Sequence, residues 1–285
     1  MSHPASASRY FVPAPSHWPL VGSLALLLLA SGAVLAMNSS TNGGFMLLGG
    51  GFAVLVTMLF GWFSRVIGES EGGSYNLHVD RSFRWAMAWF IFSEVMFFAA
   101  FFGALFYIRV LSVPELASPE QALLWEGFKN VWPSAGPAVK DAFTPMHAWG
   151  IPAINTLLLL SSGVTVTWAH WALVANKRQQ LIVGLALTIL LGLVFISLQA
   201  YEYAEAYSHL NLKMTTGVYG STFYMLTGFH GFHVTLGVTM LTVILLRTIK
   251  GHFTSERHFA FEAVAWYWHF VDVVWLGLFI VVYWL

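Results

Sequence analysis

The chain has 285 residues, of which 58% are hydrophobic and only 9% charged, with thirteen Lys+Arg balanced by thirteen Asp+Glu. A soluble domain carries charge over its whole surface, at nearer a quarter of its residues, so this composition excludes one. The 16% aromatic content excludes a disordered chain, the neutral balance offers no basic stripe for nucleic acid, and the lack of Cys excludes disulfides, thiolate nucleophiles and Cys-ligated metal sites.

Between positions 10 and 64 there is no Asp, Glu, Lys or Arg at all. What remains is an all-α, polytopic membrane protein. A spanning helix needs about 20 mostly apolar residues. Seven segments meet that length in chain order: 18–37, 45–64, 85–108, 146–174, 181–201, 217–246 and 259–285. They are apolar on all sides, whereas the strands of a membrane barrel alternate. The first span has the look of a signal peptide, with Arg9 before it and small residues near 33–36. It is read as a retained helix, because its apolar stretch is long for a signal core and a second span follows at once.

Basic residues set the orientation. With the N-terminus inside, the inner side holds Arg9, Arg65, Arg81, Arg84, Lys177, Arg178, Arg247, Lys250 and Arg257, against Arg109, Lys129, Lys140 and Lys213 outside. Nine against four places the N-terminus in the cytoplasm and the C-terminus in the periplasm. The first outer loop, 38–44, is short, polar and uncharged. The long outer loop, 109–145, holds five prolines, and its 123–132 stretch is a candidate for lying on the membrane surface. The long connections divide the chain after the second span: a helix pair over 1–66, an inner-side connection over 67–84, and a five-helix bundle over 85–285. No internal repeat is visible, which weighs against inverted-repeat transporters.

Three carboxyls stand inside predicted spans, where ionisable groups are costly and mark function. Glu94 lies nine residues into the third span, about 14 Å deep at a rise of 1.5 Å per residue. Phe90, Phe92, Phe97 and Phe98 surround it in sequence. It reads either as a proton-handling or lipid-facing carboxyl, or as a structural acid held by hydrogen bonds. It has no obvious cationic partner. Glu262, His269 and Asp272 share the last span and fall within roughly 80° of one another around the axis. They form a polar stripe in which His269 and Asp272 are spaced to interact directly. His230 and His233 give the sixth span a similar stripe. Such groups suit iron, copper or zinc, but no His-x-x-x-His or Glu-x-x-His pattern repeats as a di-iron bundle requires. The stripe is therefore read as hydrogen bonding between the sixth and seventh spans, with no metal site.

Trp18, Trp62, Trp85, Trp149, Trp171 and Trp284 sit near span ends, as interfacial rings do. Trp266 and Trp268 read as packing residues. Arg65, Arg247, Lys250 and His252 lie at inner helix ends and suit anionic lipid head groups or serve as orientation signals; the tight cluster at 247–252 favours lipid. The Gly49-Gly50-Gly51 run lacks the Lys-Ser/Thr of a phosphate loop, and no catalytic triad or carboxylate pair stands out.

Several long stretches resemble subunit III of the haem–copper cytochrome c oxidases. They are Ser93-Glu94-Val95-Met96-Phe97-Phe98; Thr167-Trp168-Ala169-His170; Gln199-Ala200-Tyr201-Glu202-Tyr203; Thr227-Gly228-Phe229-His230-Gly231-Phe232-His233; and Trp266-Tyr267-Trp268-His269-Phe270-Val271-Asp272. The resemblance runs through nearly the whole chain in order. It implies seven helices in bundles of two and five, enclosing a V-shaped cleft that holds phospholipid. It implies a chain without haem or copper that packs beside subunit I, with subunit II and possibly small subunits nearby and cytochrome c as substrate of the complex. It implies support of proton uptake and protection against turnover inactivation, in a bacterial plasma membrane or, if organellar, a mitochondrial inner membrane. Glu94 matches the family's buried third-helix carboxyl, and Arg247, Lys250 and His252 fall where the family contacts lipid. Gly68 stands where many relatives have Arg, and Arg65, one turn away, is the candidate substitute. A quinol oxidase subunit III is the neighbouring reading, but those subunits usually lack the first two helices. A stand-alone transporter is the reading from another class.

Overall fold

The computed structural model describes residues 11–38, 42–139 and 142–285, so Arg9, Lys140 and the middle of the first outer loop lie outside the described residues. Among the described residues there are seven helices long and apolar enough to cross a membrane, and no strand. They are α1 (Trp18–Asn38), α2 (Gly43–Glu71), α3 (Leu77–Phe106), α4 (Ile151–Val174), α5 (Arg178–Ser208), α6 (Gly217–Lys250) and α7 (Phe259–Leu278). α3 continues through a π-helical stretch, Tyr107–Ser112, into a short helix, Val113–Leu116, and α7 ends in π-helix at Phe279–Trp284.

The helices overrun the apolar segments because helix formation does not stop where hydrocarbon ends. α2 runs seven residues past position 64, and α3 starts eight before position 85. The inner-side connection expected over 67–84 is therefore mostly helix, leaving only 72–76 outside it. Asn76 starts α3: its Oδ1 accepts from the backbone N–H groups of His78 and Val79, both at 3.0 Å, satisfying two donors that have no intrahelical partner. The loop after α3 likewise begins only after Leu116, and its 123–132 segment is turns over 123–127 and irregular beyond, with Leu123 and Leu124 exposed.

The chain divides into two units, Met1–Phe83 and Arg84–Leu285. In the first, α1 and α2 pack antiparallel through small residues. The buried positions of α2 are Gly44, Gly51 and Met58, spaced by sevens, and those of α1 are Gly22, Ala25 and Gly32. Their pairing keeps one register: Ala36 lies over Gly44, Gly32 against Leu48, Leu29 over Gly51 and Gly22 against Met58. A Cβ on Gly32 would come within 2.7 Å of the Leu48 nitrogen, and one on Gly51 within 2.9 Å of the Leu29 nitrogen. Lipid tails are as apolar as Leu, so close backbone packing rather than hydrophobic exclusion holds such a pair. Most remaining side chains of both helices are exposed, as lipid-facing residues are.

The second unit is built around α7. Phe261, Ala265, Trp268, Asp272 and Trp275 form one buried row at three- or four-residue spacing, and Tyr267, Phe270, Val271 and Val274 widen it, so that much of the helix circumference is covered. Trp268 is fully buried. Its indole fills the notches of two glycines, where a Cβ on Gly192 of α5 or Gly237 of α6 would each meet the ring at 2.8 Å. Its Nε1–H donates to Ser162 Oγ of α4 at 2.8 Å. One side chain thereby gauges the approach of three helices. Trp275 repeats the device further along, donating to Thr156 Oγ1 at 3.0 Å. Trp266, expected to pack, is instead 36% exposed on the opposite face. α6 ends at Gly251, whose φ of 82° lies in the left-handed region. The Gly251 N–H donates to the Thr248 carbonyl at 2.9 Å and the His252 N–H to the Arg247 carbonyl at 3.1 Å, a Schellman closure.

The glycine register of the first unit gives a direct contrast. Gly51→Ala is expected to destabilise the α1–α2 pair by about 1–3 kcal/mol through overpacking. Gly50→Ala, beside which a Cβ would meet nothing within 4 Å, is expected to leave it unchanged. Thermal melting of the detergent-solubilised protein separates the two; equal effects would contradict the register.

Candidate functional site

Glu94 projects from α3 toward α6, and its partner is His233: His233 Nε2 lies 2.8 Å from Glu94 Oε2. The absence of a partner expected from sequence is thus corrected. His233 Nδ1 is 2.6 Å from the Phe229 carbonyl, which can only accept, so Nδ1 carries a proton. The contact between Nε2 and the carboxyl then needs one further proton, which resides on one or the other. The pair is therefore a one-proton device, either imidazolium–carboxylate or imidazole–carboxylic acid. Phe98 stands edge-on to the His233 ring at 5.0 Å and Phe97 is tilted at 5.9 Å, which keeps the pair largely within apolar surroundings.

This pair fastens a helix whose backbone otherwise stands off from its neighbours. Aromatic rings span the gap: Phe97 and Phe101 against Phe229, and Phe98 against Phe270. At one end of α3, Arg84 pairs closely with Glu262 and lies over the Phe259 ring. At the other, Arg109 Nη2 donates to the Leu285 carbonyl at 2.9 Å.

The polar stripe expected between the sixth and seventh spans is divided among other partners. Glu262 faces Arg84 on α3, His170 on α4 at 3.6 Å and His258 at 3.1 Å. His269 binds α4: Thr167 Oγ1 donates to the Gly163 carbonyl, so it accepts from His269 Nε2–H at 3.2 Å. The other nitrogen, Nδ1, is then an acceptor, and Asp272 Oδ2 lies 3.9 Å from it, too far for the direct bond that the spacing predicts. Asp272 is buried against Gly163. His230 is also buried, and neither ring nitrogen has a hydrogen-bond partner among the described residues. It stacks at 31° on Trp275, 5.2 Å between centroids, and meets Phe195 edge-on. Its role in packing is that of an aromatic ring, not of a hydrogen-bonding bridge.

Two groups escaped sequence reasoning. Glu202 lies one residue past the apolar segment ending at 201, but α5 continues to Ser208 and buries it completely. Tyr283 donates to Glu202 Oε1 at 2.6 Å, and Tyr203 and Thr227 bond at 2.6 Å between the same helix and α6. The signal was the Tyr-Glu-Tyr run beside a span end. Arg178, at the start of α5, donates to the carbonyls of Thr248 and Ile249 at 3.2 and 2.6 Å, satisfying the last turn of α6. It thereby joins Arg247, whose guanidinium lies 4.6 Å from the Phe253 centroid, the exposed Lys250 and the half-buried His252 at one helix end.

In the other unit, Arg65 is partly engaged. It donates to the carbonyls of Pro15 and Ala14 at 3.2 and 3.4 Å and lies 3.4 Å from Glu69. Tyr75 in turn donates to Glu69 at 2.8 Å, and burial together with that carboxylate pushes the phenol above its ordinary range. A Cβ on Gly68 would meet nothing within 4 Å, so the site has room for a larger side chain.

The Tyr283–Glu202 bond is open to test. Tyr283→Phe leaves a buried carboxyl without its donor and is expected to cost about 1–3 kcal/mol. Tyr201→Phe, at a ring 60% exposed, is expected to fall within about 0.5 kcal/mol of the parent. Equal melting temperatures of the two variants would contradict the assignment.

Comparison with known proteins agrees with this architecture along its whole length. The sequence model of one family, cytochrome c oxidase subunit III, matches residues 8–285. The chain is 44% identical over 285 residues to cytochrome c oxidase subunit 3 of Cyprinus carpio, covering 100% of this chain and 99% of that one. It is 45% identical over 271 residues to the subunit of the same name in Marchantia polymorpha, covering 95% and 94%. The corresponding figures for Chondrus crispus are 44% over 271 residues, covering 95% and 91%. Seven helices of spanning length and a match that leaves out only the first seven residues place the chain in the cytochrome c oxidase subunit III family.

Proposed function

We propose that this chain is an accessory, non-redox subunit of a cytochrome c oxidase, which packs against the catalytic subunit I, holds structural phospholipid and supports proton uptake during oxygen reduction. The full-length family match carries this reading, since the relatives are themselves named as one subunit of an oxidase. Haem and copper belong, on this reading, to partner subunits, with subunit II beside subunit I and cytochrome c as the electron donor. The chain is a multi-pass membrane protein. The excess of basic residues on one side favours an N-terminus in the bacterial cytoplasm, or in the matrix of an organelle.

The disposition of polar groups supports a supporting role. Glu94 and Glu262 are both tied to neighbouring helices of this same chain. The Glu94–His233 pair carries one proton inside apolar surroundings and is the candidate proton-handling group. Arg247, Lys250 and His252 cluster with Arg178 at the end of α6. Such a cluster attracts anionic head groups at about 1 kcal/mol per basic residue near the surface. Arg65 is the weaker lipid candidate, because backbone carbonyls already occupy part of its guanidinium.

Affinity purification through a tag on this chain, from native membranes, tests the assignment. The expected product contains haem-bearing partners and oxidises cytochrome c. Recovery as a chain free of haem-bearing partners would overturn it. Within the assembled complex, Glu94→Gln is expected to retain oxygen reduction while modestly altering proton uptake or lipid content. Complete loss of oxygen reduction in a properly assembled complex would contradict the supporting role. Replacing Arg247 and Lys250 by Ala is expected to lower the bound anionic phospholipid measured by mass spectrometry.

A further inference from the structure

We propose that His170, His258 and Glu262 form a binding site for one divalent ion of the zinc class, closing one end of the five-helix bundle. Among the described residues they are the one group of three metal-ligating side chains whose ligand atoms all lie within 4.8 Å of one another. The chain brings them together from two helices. His170 sits near the end of α4, His258 immediately precedes α7, and Glu262 lies in its first turn.

The distances suit a small tetrahedral ion. With bonds of about 2.0–2.2 Å, neighbouring ligand atoms stand roughly 3.4 Å apart. Glu262 Oε1 lies 3.1 Å from His258 Nε2 and 3.6 Å from His170 Nε2. The protons are placed to match. His258 Nδ1 lies 3.0 Å from the Thr254 carbonyl, which can only accept, so Nδ1–H donates. In the neutral ring this leaves a lone pair on Nε2 aimed at a carboxylate oxygen. Two acceptors face each other comfortably only when a proton, as in the Glu94–His233 pair, or a metal cation sits between them. A backbone carbonyl holding the far nitrogen is also the usual outer support of a metal-bound imidazole.

The other contacts point the same way. His170 Nε2 is buried with no hydrogen-bond partner, and its distance from Glu262 exceeds a hydrogen bond. Arg84 occupies the second carboxylate oxygen, Oε2, leaving Oε1 as the one that both imidazoles face. Two imidazoles and one carboxylate oxygen suit zinc better than magnesium or calcium, which prefer all-oxygen shells, or copper(I), which prefers sulfur. All three side chains are partly buried. Zinc has no redox chemistry, and its presence is compatible with a non-redox subunit. Its effect here is mechanical: it ties the end of α4 to the start of α7 on a carboxylate that Arg84 already links to α3.

Spacing within the sixth and seventh spans gives no metal set, because two of these three ligands are not on those spans. His170 and His258 lie outside them, 88 positions apart.

The experiment uses the intact complex, stripped with a chelator and dialysed against micromolar zinc chloride. The parent is expected to retain one zinc per chain more than His258→Ala or His170→Ala, and the variants to bind that zinc about tenfold or more weakly. Zinc-edge X-ray absorption on the parent, compared with the His258→Ala complex, is expected to show nitrogen and oxygen neighbours only, two of them imidazoles. Melting of the parent chain is expected to rise with added zinc by mass action. Equal zinc content in parent and both variants, or no zinc-dependent rise in the parent's melting temperature, would overturn the proposal and leave the cluster as an imidazolium–carboxylate–guanidinium network. The melting arm needs no variant, so a variant that fails to assemble does not shelter the proposal.

Discussion

A carboxyl group inside hydrocarbon has no water to satisfy it, and Glu94 meets that constraint by reaching across to His233 at 2.8 Å. Much follows from this one contact. It draws α3 to α6 although the two backbones stand apart, and it sets where the aromatic rings of α3 meet those of α6 and α7. Because His233 spends its other nitrogen on the Phe229 carbonyl, the contact retains exactly one shared proton's worth of bonding capacity. The structural tie and the candidate proton-handling group are therefore the same pair of side chains.

The two units solve helix association differently. In α1 and α2 the means are glycines, which let backbones approach until a single methyl would collide. In the larger unit the means are large rings seated in glycine notches, with Trp268 between Gly192 and Gly237 and its N–H turned to Ser162. Polar latches then act where helices are too far apart for either device. Arg84 with Glu262 and Glu94 with His233 both belong to α3, the helix with least backbone contact of its own. The division of labour accounts for where the few charges of a charge-poor chain are placed.

The spans were legible in the sequence because twenty apolar residues in a row have few alternative meanings. Pairings were not. His233 lies 139 positions from Glu94, and helical periodicity relates only groups on one helix. That is why the expected stripe of His230, His233, Glu262, His269 and Asp272 separates into contacts with α3, α4 and plain ring stacking. Glu202 was missed because hydropathy marks where apolar sequence ends, and α5 continues beyond that point. Family resemblance supplied the assembly that no residue in this chain announces.

The central claim is that the Glu94–His233 contact, not either residue alone, fastens α3. A double-mutant cycle with Glu94→Leu and His233→Phe measures it directly, by unfolding of the purified protein in detergent. Each single change strands a polar partner in apolar surroundings, whereas the double change removes both. The account predicts a coupling of about 1 kcal/mol or more, with the double variant less destabilised than the two singles added together. Additivity within about 0.3 kcal/mol would contradict it.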